Sequence, residues 1–221
     1  KVVFTNPSFL FLFLPIAIGI YFVSGRRNIV LLLFSLLFYF WGEGYFVILM
    51  LFSIAVNHVL AHRIAKSGKK RGLIWLIGGV VTNLSLLIAY KYIGFITNTL
   101  QTLLGATSVD VPSVALHLPL GISFFTFQAM TLLIDTYRRD AQPDRDILNT
   151  GLYIALFPQL IAGPIVRFRE IANQIRSRRH DFRLISQGIE RFLVGLGKKL
   201  LLADPLATVS DGVFAASGTG D

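Results

Sequence analysis

Within the run "PLGISFFTFQAMTLLIDTYRRD", Pro119–Asp140, two polar residues interrupt otherwise apolar sequence: Gln128 and Asp135. Seven residues is two helical turns, so they share one face, with Ser123 and Thr131 near it. Amide and ionisable groups in apolar surroundings are costly and point inward. Either Asp135 pairs with Arg138 or Arg139, or the stripe lines a polar channel. His58 and His62 are one turn apart, the spacing of a two-histidine metal half-site. No carboxylate is near them in sequence, so the pattern does not complete a metal site. His117 and His180 read as solvated surface groups. With no cysteine in the chain, disulfides, thiolate catalysis and sulfur-ligated zinc are excluded. No nucleophile elbow, P-loop or dinucleotide fingerprint occurs.

A second stretch, "FPQLIAGPIVRFRE" (Phe157–Glu170), is apolar enough for a bilayer, yet Pro158 and Gly163-Pro164 break any straight helix. Either it is a kinked helix that crosses, or it turns back inside the membrane. Non-helical backbone at depth is tolerated only where protein or water satisfies its polar groups. Gln159, beside Pro158, is suited to bond carbonyls freed at the break. Beyond it, Phe168, Ile171, Ile175 and Phe182 recur at near-helical spacing among arginines. This pattern predicts a basic amphipathic helix over Arg167–Arg183 on the membrane surface, either a lipid anchor or a rim for a negatively charged donor or carrier.

Composition requires the elements that hold these residues to be embedded. Of 221 residues, 54% are hydrophobic and 15% charged, with mean hydropathy +0.65. A soluble domain carries about 25% charged residues. The apolar runs are Phe9–Val23 (with Pro15 inside), Ile29–Trp41, Tyr45–Leu60, Leu73–Phe95, Leu118–Ile134, Ile147–Val166 and Phe182–Leu202. They are continuous rather than alternating, so they predict helices and not a barrel. The predicted fold is all-α, a polytopic transmembrane bundle with a re-entrant segment and an interfacial helix. Gly42-Glu43-Gly44 predicts a tight turn. Ile96–His117 reads as an external segment, part helix and part loop, and Ala215–Asp221 as a loop. Lys91, between Tyr90 and Tyr92, suits snorkelling at an aromatic belt. Gly78, Gly79, Asn83 and Ser85 form a small face for close packing, with Asn57, Asn83 and Asn173 as hydrogen-bonding residues.

Net charge is +9. Sixteen of the 21 Lys and Arg follow the first, third, fifth and sixth runs. Positive loops face the cytoplasm, which places the N-terminus outside. The loops on both sides of Ile147–Val166 are basic, so that segment should enter and leave by one face. Aromatics are not interleaved with the basic residues, which excludes a nucleic-acid platform. Arg26-Arg27 after the first run mark a retained helix rather than a cleaved leader.

Four motifs in order carry a resemblance: "VVFTNPSFLFLFLPIAIGIYF", "LPLGISFFTFQAMTLLIDTYRRD", "FPQLIAGPIVRFREI" and "GLGKKLLLADPLA". Together, from Val2 to about Asp211, they resemble the membrane-bound O-acyltransferase (MBOAT) family, in its bacterial alginate O-acetyltransferase-like branch. The resemblance implies a bundle that thins in the middle of the bilayer. It implies transfer of an acetyl group from a cytoplasmic donor, acetyl-CoA or another acyl donor, to hydroxyls of an exported polysaccharide. No bound cofactor is implied. The implied partners are membrane lipid, an acyl carrier on the cytoplasmic face and extracytoplasmic polysaccharide-modification proteins, in a bacterial inner membrane. Ser123, Phe124 and Gln128 match the family's helix motif, and Asp135 and Tyr137 its end. Pro158, Gln159, Gly163, Pro164 and Arg167 match the re-entrant motif, with a role in shaping a tunnel wall. The family's catalytic histidine lies near a stretch "WRRWHIS" with no counterpart here. By resemblance, residues 1–221 form the N-terminal part of one larger domain, inactive alone. Peptidoglycan or cellulose acetylation, D-alanyl transfer to teichoic acid, and a transporter are the alternative readings.

Overall fold

The computed structural model describes residues 6–104, 118–160, 164–178 and 180–217. Among these every regular element is helical. The π turn Phe9–Phe13 runs into α1 (Leu14–Val23). There follow α2 (Arg27–Glu43), α3 (Val47–Lys66), α4 (Lys69–Lys91), α5 (Ile93–Leu104), α6 (Ile122–Arg138), α7 (Ile147–Ala155), α8 (Phe168–Arg176), α9 (Phe182–Lys198) and α10 (Asp204–Ser217). By length and composition, two stretches among the described residues suffice to cross a membrane: Arg27–Lys66, with hydropathy 1.9, and Lys69–Lys91, with hydropathy 2.0. Gly44, at φ 59, breaks the first into α2 and α3, at the turn the glycines predict.

The chain divides into two units, one built on Ile16–Ser177 and the other on Val3–Pro15 with Arg178–Asp221. In the first, α3, α4 and α6 pack on one another, α2 and α3 cover α7, and α8 lies on α6 and α7. Its core comprises Met50, Ile54 and Ala61 of α3, Phe125, Ala129 and Leu133 of α6, and Leu152–Ala155 of α7. Its outside is as apolar as its inside: Leu33 and Leu37 on α2, Ile48 and Phe52 on α3, and Ile74, Ile77 and Val81 on α4 are all exposed. Water would penalise such a surface and lipid does not.

Several polar residues are inside instead. Asn57 and Asn83 form a reciprocal amide pair, Nδ2 to Oδ1 at 3.2 and 2.7 Å. Each amide spends its second N–H on the carbonyl one turn back, Ser53 O and Gly79 O. Both groups are thereby satisfied without water, and α3 is fixed to α4. Gly79 makes the approach possible, because a Cβ there would stand 2.4 Å from Leu133 Cδ1 and 3.2 Å from Leu60 Cδ1. Gly78 and Ser85, expected on the same face, are exposed. Lys91 lies over the Tyr92 ring at 5.5 Å.

The second unit shows two π turns, Phe9–Phe13 and Lys199–Ala203, each ending two residues before a proline, Pro15 and Pro205. A proline ring clashes with the carbonyl four residues back, and widening the turn relieves it. The second π turn joins α9 to α10, which is helical through Ser217. Of the loop expected over Ala215–Asp221, Ala215–Ser217 are helical instead, and residues 218–221 lie outside the described set.

Replacing Asn57 with Ala leaves the Asn83 amide unpaired in an apolar setting. We expect a loss of about 1–2 kcal/mol, read as a lower unfolding midpoint in detergent, with much of it recovered by Asn57→Leu/Asn83→Leu.

Candidate functional site

The stretch after α7 is a hairpin held against α6. At Leu156 the chain leaves the helix (ψ 111), a 3-10 turn covers Phe157–Gln159, and Pro164–Arg167 return to α8. The break follows from Pro158, whose ring cannot follow a helical Ile154 carbonyl. It frees the Phe157 N–H, which donates to Ser35 Oγ of α2 at 3.2 Å. Ser35 donates in turn to Leu31 O at 2.7 Å. Thus Ser35 of α2 takes up the N–H freed at the break.

The polar stripe of α6 faces this hairpin. Gln128 Nε2 donates to Gln159 Oε1 at 2.8 Å. One turn on, Thr131 Oγ1 meets Tyr153 Oη in a short hydrogen bond, and Tyr153 Oη reaches Val166 O at 2.8 Å. Thr131 Oγ1 also lies 2.9 Å from Gln128 O. Two hydroxyl protons cannot serve three contacts, so only two of these three bonds are made at a time. Next, Asp135 Oδ2 accepts from the Arg169 N–H at 3.1 Å. Arg169 is the second residue of α8, whose own cap position, Arg167, gives no side-chain bond. Asp135 therefore caps α8 from another helix. It does not pair with Arg138 or Arg139.

The two ends of the hairpin are tied together. Asn28 Nδ2 donates to Asn149 Oδ1 near the start of α7 and to Ile175 O near the end of α8, both at 2.8 Å. Arg176 bonds Asp144 Oδ2 at 3.1 Å and Gln142 O at 2.6 Å, and Arg169 pairs with Asp140 at 3.4 Å. Burial alone raises the Asp144 carboxyl; the Asp146 N–H, Arg176 and Asn149 outweigh it and hold it below the ordinary value. The hairpin thus leaves and returns at one end of the unit. At α-helical rise, the 9 residues of α7 climb about 13 Å beside the roughly 25 Å of the 17-residue α6.

Helix α8 differs from the sequence expectation. It ends at Arg176, not Arg183, and Phe182 begins α9. Its apolar residues Phe168, Ala172 and Ile175 are buried in protein, and Phe168 meets the Tyr153 ring edge-on at 5.1 Å. Its apolar face packs on α6 and α7, and arginines tied to residues 140–144 flank that contact.

Of the residues singled out by motif, the structure brings together Gln128, Gln159 and Asp135 around the hairpin. Ser123 and Phe124 are half-buried higher on α6, and Pro158, Pro164 and Arg167 are exposed. Tyr137 faces elsewhere, its ring 3.5 Å from the position of a Gly72 Cβ. Gly163 lies outside the described residues. His58 Nδ1 bonds Thr150 Oγ1 and His62 Nδ1 bonds His58 O, both at 2.9 Å; their ring centroids are 4.4 Å apart with the planes tilted by 49°. Since His62 Nδ1 faces a carbonyl, it carries the proton. Among the described residues no cluster of three His, Asp or Glu side chains exists.

The chain is 37% identical over 99% of its length to the probable alginate O-acetylase AlgI of Pseudomonas syringae, of which it covers 44%. Against the AlgI of Azotobacter vinelandii the identity is again 37% over 99%, covering 45% of that protein. It is also 32% identical, over 94% of its length, to the peptidoglycan O-acetyltransferase of Helicobacter pylori, covering 46%. By sequence, the chain is a homologue of these O-acetyltransferases. It spans about half the length of the curated relatives it matches. No family model and no solved structure matches it.

In this O-acetyltransferase homologue, sequence reasoning missed Ser35, Asn28 and Tyr153. Nothing in their spacing marked them, since each acts on a segment distant in sequence. A buried serine midway along an apolar run was the available signal for Ser35. Gly121 was visible only as a motif letter. It sits at φ 74, and a Cβ there would stand 2.6 Å from the Leu160 carbonyl oxygen. Gly121→Ala meets both backbone strain and a carbonyl that cannot rotate away. We expect a loss of about 2–3 kcal/mol, read as a lower unfolding midpoint and faster proteolysis within residues 156–168.

Proposed function

We propose that this chain is the N-terminal portion of a membrane O-acyltransferase that moves an acetyl group from a cytoplasmic donor to hydroxyls of an exported polysaccharide such as alginate. The observation that carries this is 37% identity to alginate O-acetylases along 99% of the chain. With a thioester donor such as acetyl-CoA, the acceptor oxygen bonds to the acyl carbon, the C–S bond breaks, and the hydroxyl proton ends on the departing thiol. The catalytic base is a group outside residues 1–221. His58 and His62 are committed to structural bonds.

In this reading the membrane is a bacterial inner membrane, crossed several times, with the N-terminus outside. The hairpin of α7 and α8 is re-entrant from the cytoplasmic face. Three observations support it. Its ends share Asn28, its break is satisfied by Ser35, and the Arg138-Arg139 and Lys69–Arg71 ends of α6 and α4 are basic. A bilayer core is about 30 Å thick, and a hairpin rising only partway leaves a short path between donor and acceptor. Gln128, Gln159 and Asp135 form the wall of that path, with Ser123, Phe124, Pro158, Gly163, Pro164 and Arg167 as lesser contributors; Tyr137, whose ring faces Gly72 of α4, does not line it. Extracytoplasmic modification proteins and a cytoplasmic donor or carrier are its partners. Peptidoglycan is the second acceptor to consider, because one homologue is named a peptidoglycan O-acetyltransferase.

The decisive assay is acetyl transfer by the full-length protein in its native membrane, with alginate and peptidoglycan supplied separately. We expect acetyl ester on alginate, and a drop of about tenfold or more in Gln128→Leu, which leaves Gln159 unpaired. Ester on peptidoglycan alone rejects alginate; ester on neither rejects the reading. Topology is checked with single cysteines at Gln142 and Ser177. Both should react with an impermeant reagent only after the inner membrane is opened. Labelling of either one in intact cells would show that the segment crosses.

A further inference from the structure

A cavity of about 410 Å³ opens between the α3–α4 turn and the end of α6, lined by Ile64, Ser67, Lys69, Gly72, Tyr137, Arg138 and Arg139, and by Gly68. Three of these side chains are cationic and none is acidic. Arg139 is already engaged: its Nη1 donates to Ala65 O at 2.6 Å and its Nη2 to Ser67 O at 2.9 Å, closing the end of α3. It adopts φ 66 to do so. Lys69 and Arg138 are exposed and have no hydrogen-bond or ion-pair partner among the described residues. Two uncommitted cations thus share one concavity. Beside them α4 begins at Gly68, which supplies no side-chain cap, so the positive end of a 23-residue helix adds to the field.

The chemistry these groups recognise is a phosphate-bearing anion. The setting selects its source. Leu73, Ile74 and Ile77 on α4, within two turns of Lys69, are 43%, 69% and 54% exposed, so the cavity adjoins an apolar wall suited to acyl chains. The inner half of the cavity is apolar too, through Ile64, Gly72 and the Tyr137 ring. We propose that this cavity binds the phosphodiester headgroup of an anionic phospholipid, with Lys69 and Arg138 on the phosphate and the acyl chains along α4. Arg139 is the positioning residue: by holding the α3 carbonyls it fixes the turn that carries Lys69. The site is distinct from the hairpin wall and does not depend on the acyltransferase reading.

The test is native mass spectrometry of the detergent-solubilised full-length protein with equal phosphatidylglycerol and phosphatidylcholine. We expect phosphatidylglycerol to be retained preferentially. Lys69→Gln/Arg138→Gln should lower that retention by about tenfold. Lys70→Gln, one residue outside the lining, should behave as the parent and shows that general charge loss is not the cause. Millimolar inorganic phosphate should leave the lipid in place. Equal retention of both lipids, or unchanged retention in the double variant, overturns the proposal. Displacement by inorganic phosphate overturns the lipid source and makes the cavity a free-phosphate site.

Discussion

Every unpaired backbone group in an apolar interior must find a partner within the protein. In the first unit that demand is concentrated where Pro158 ends α7, and Ser35 meets it. The Phe157 N–H would otherwise face aliphatic side chains, at a cost of about 1–3 kcal/mol. Because Ser35 sits in the middle of α2, the break must sit beside the middle of α2. The pairing of α2 with α7 and the Tyr153–Val166 contact are in register with that bond. The α6 stripe completes the fit, with Gln128, Thr131 and Asp135 each meeting the hairpin at successive turns.

The stripe also shows how polar residues act in a chain whose outside is greasy. Exposed leucine, isoleucine and phenylalanine cover α2, α3 and α4, so burial of apolar surface distinguishes inside from outside poorly. Hydrogen bonds do so instead. The Asn57–Asn83 pair joins α3 to α4 with every amide hydrogen placed, and Asp135 gives α8 the cap that its own sequence lacks. Not all such groups are served: Tyr39 Oη, Thr126 Oγ1, Gln128 Oε1 and Thr136 Oγ1 are buried without a partner among the described residues. Gln128 Oε1 stands at the hairpin itself.

Much of this was legible in the residues. Apolar runs located α2, α3, α4 and α6 within a few residues, since long continuous hydrophobic segments leave a helix little competition. The heptad offset of Gln128 and Asp135 correctly put them on one face, and Pro158 marked the break. Less was legible where the partner was remote. Asp135 beside Arg138 and Arg139 suggests a local ion pair. The nearer demand was the uncapped start of α8, and no spacing rule connects residues 135 and 169. The amphipathic reading of Arg167–Arg183 ran too far because periodicity continued past Ser177, where the backbone is extended (ψ 100) and α8 has already ended. That helix looked lipid-facing because a protein groove and a lipid surface ask for the same apolar stripe.

Asn28 has a role in time as well as in space. Its single amide clasps a residue 121 positions later and another 147 positions later, so neither contact can exist while α2 is being made. The segment from Ile147 to Arg176 is made after α2 and α6, so Ser35, which takes up the Phe157 N–H at its break, is already present when it emerges. Its bonds to α2 and α6 can form only once it is made, and they close this group of helices. Assembly of this half of the molecule therefore has an order built into it, with the long helices first and the bent piece last.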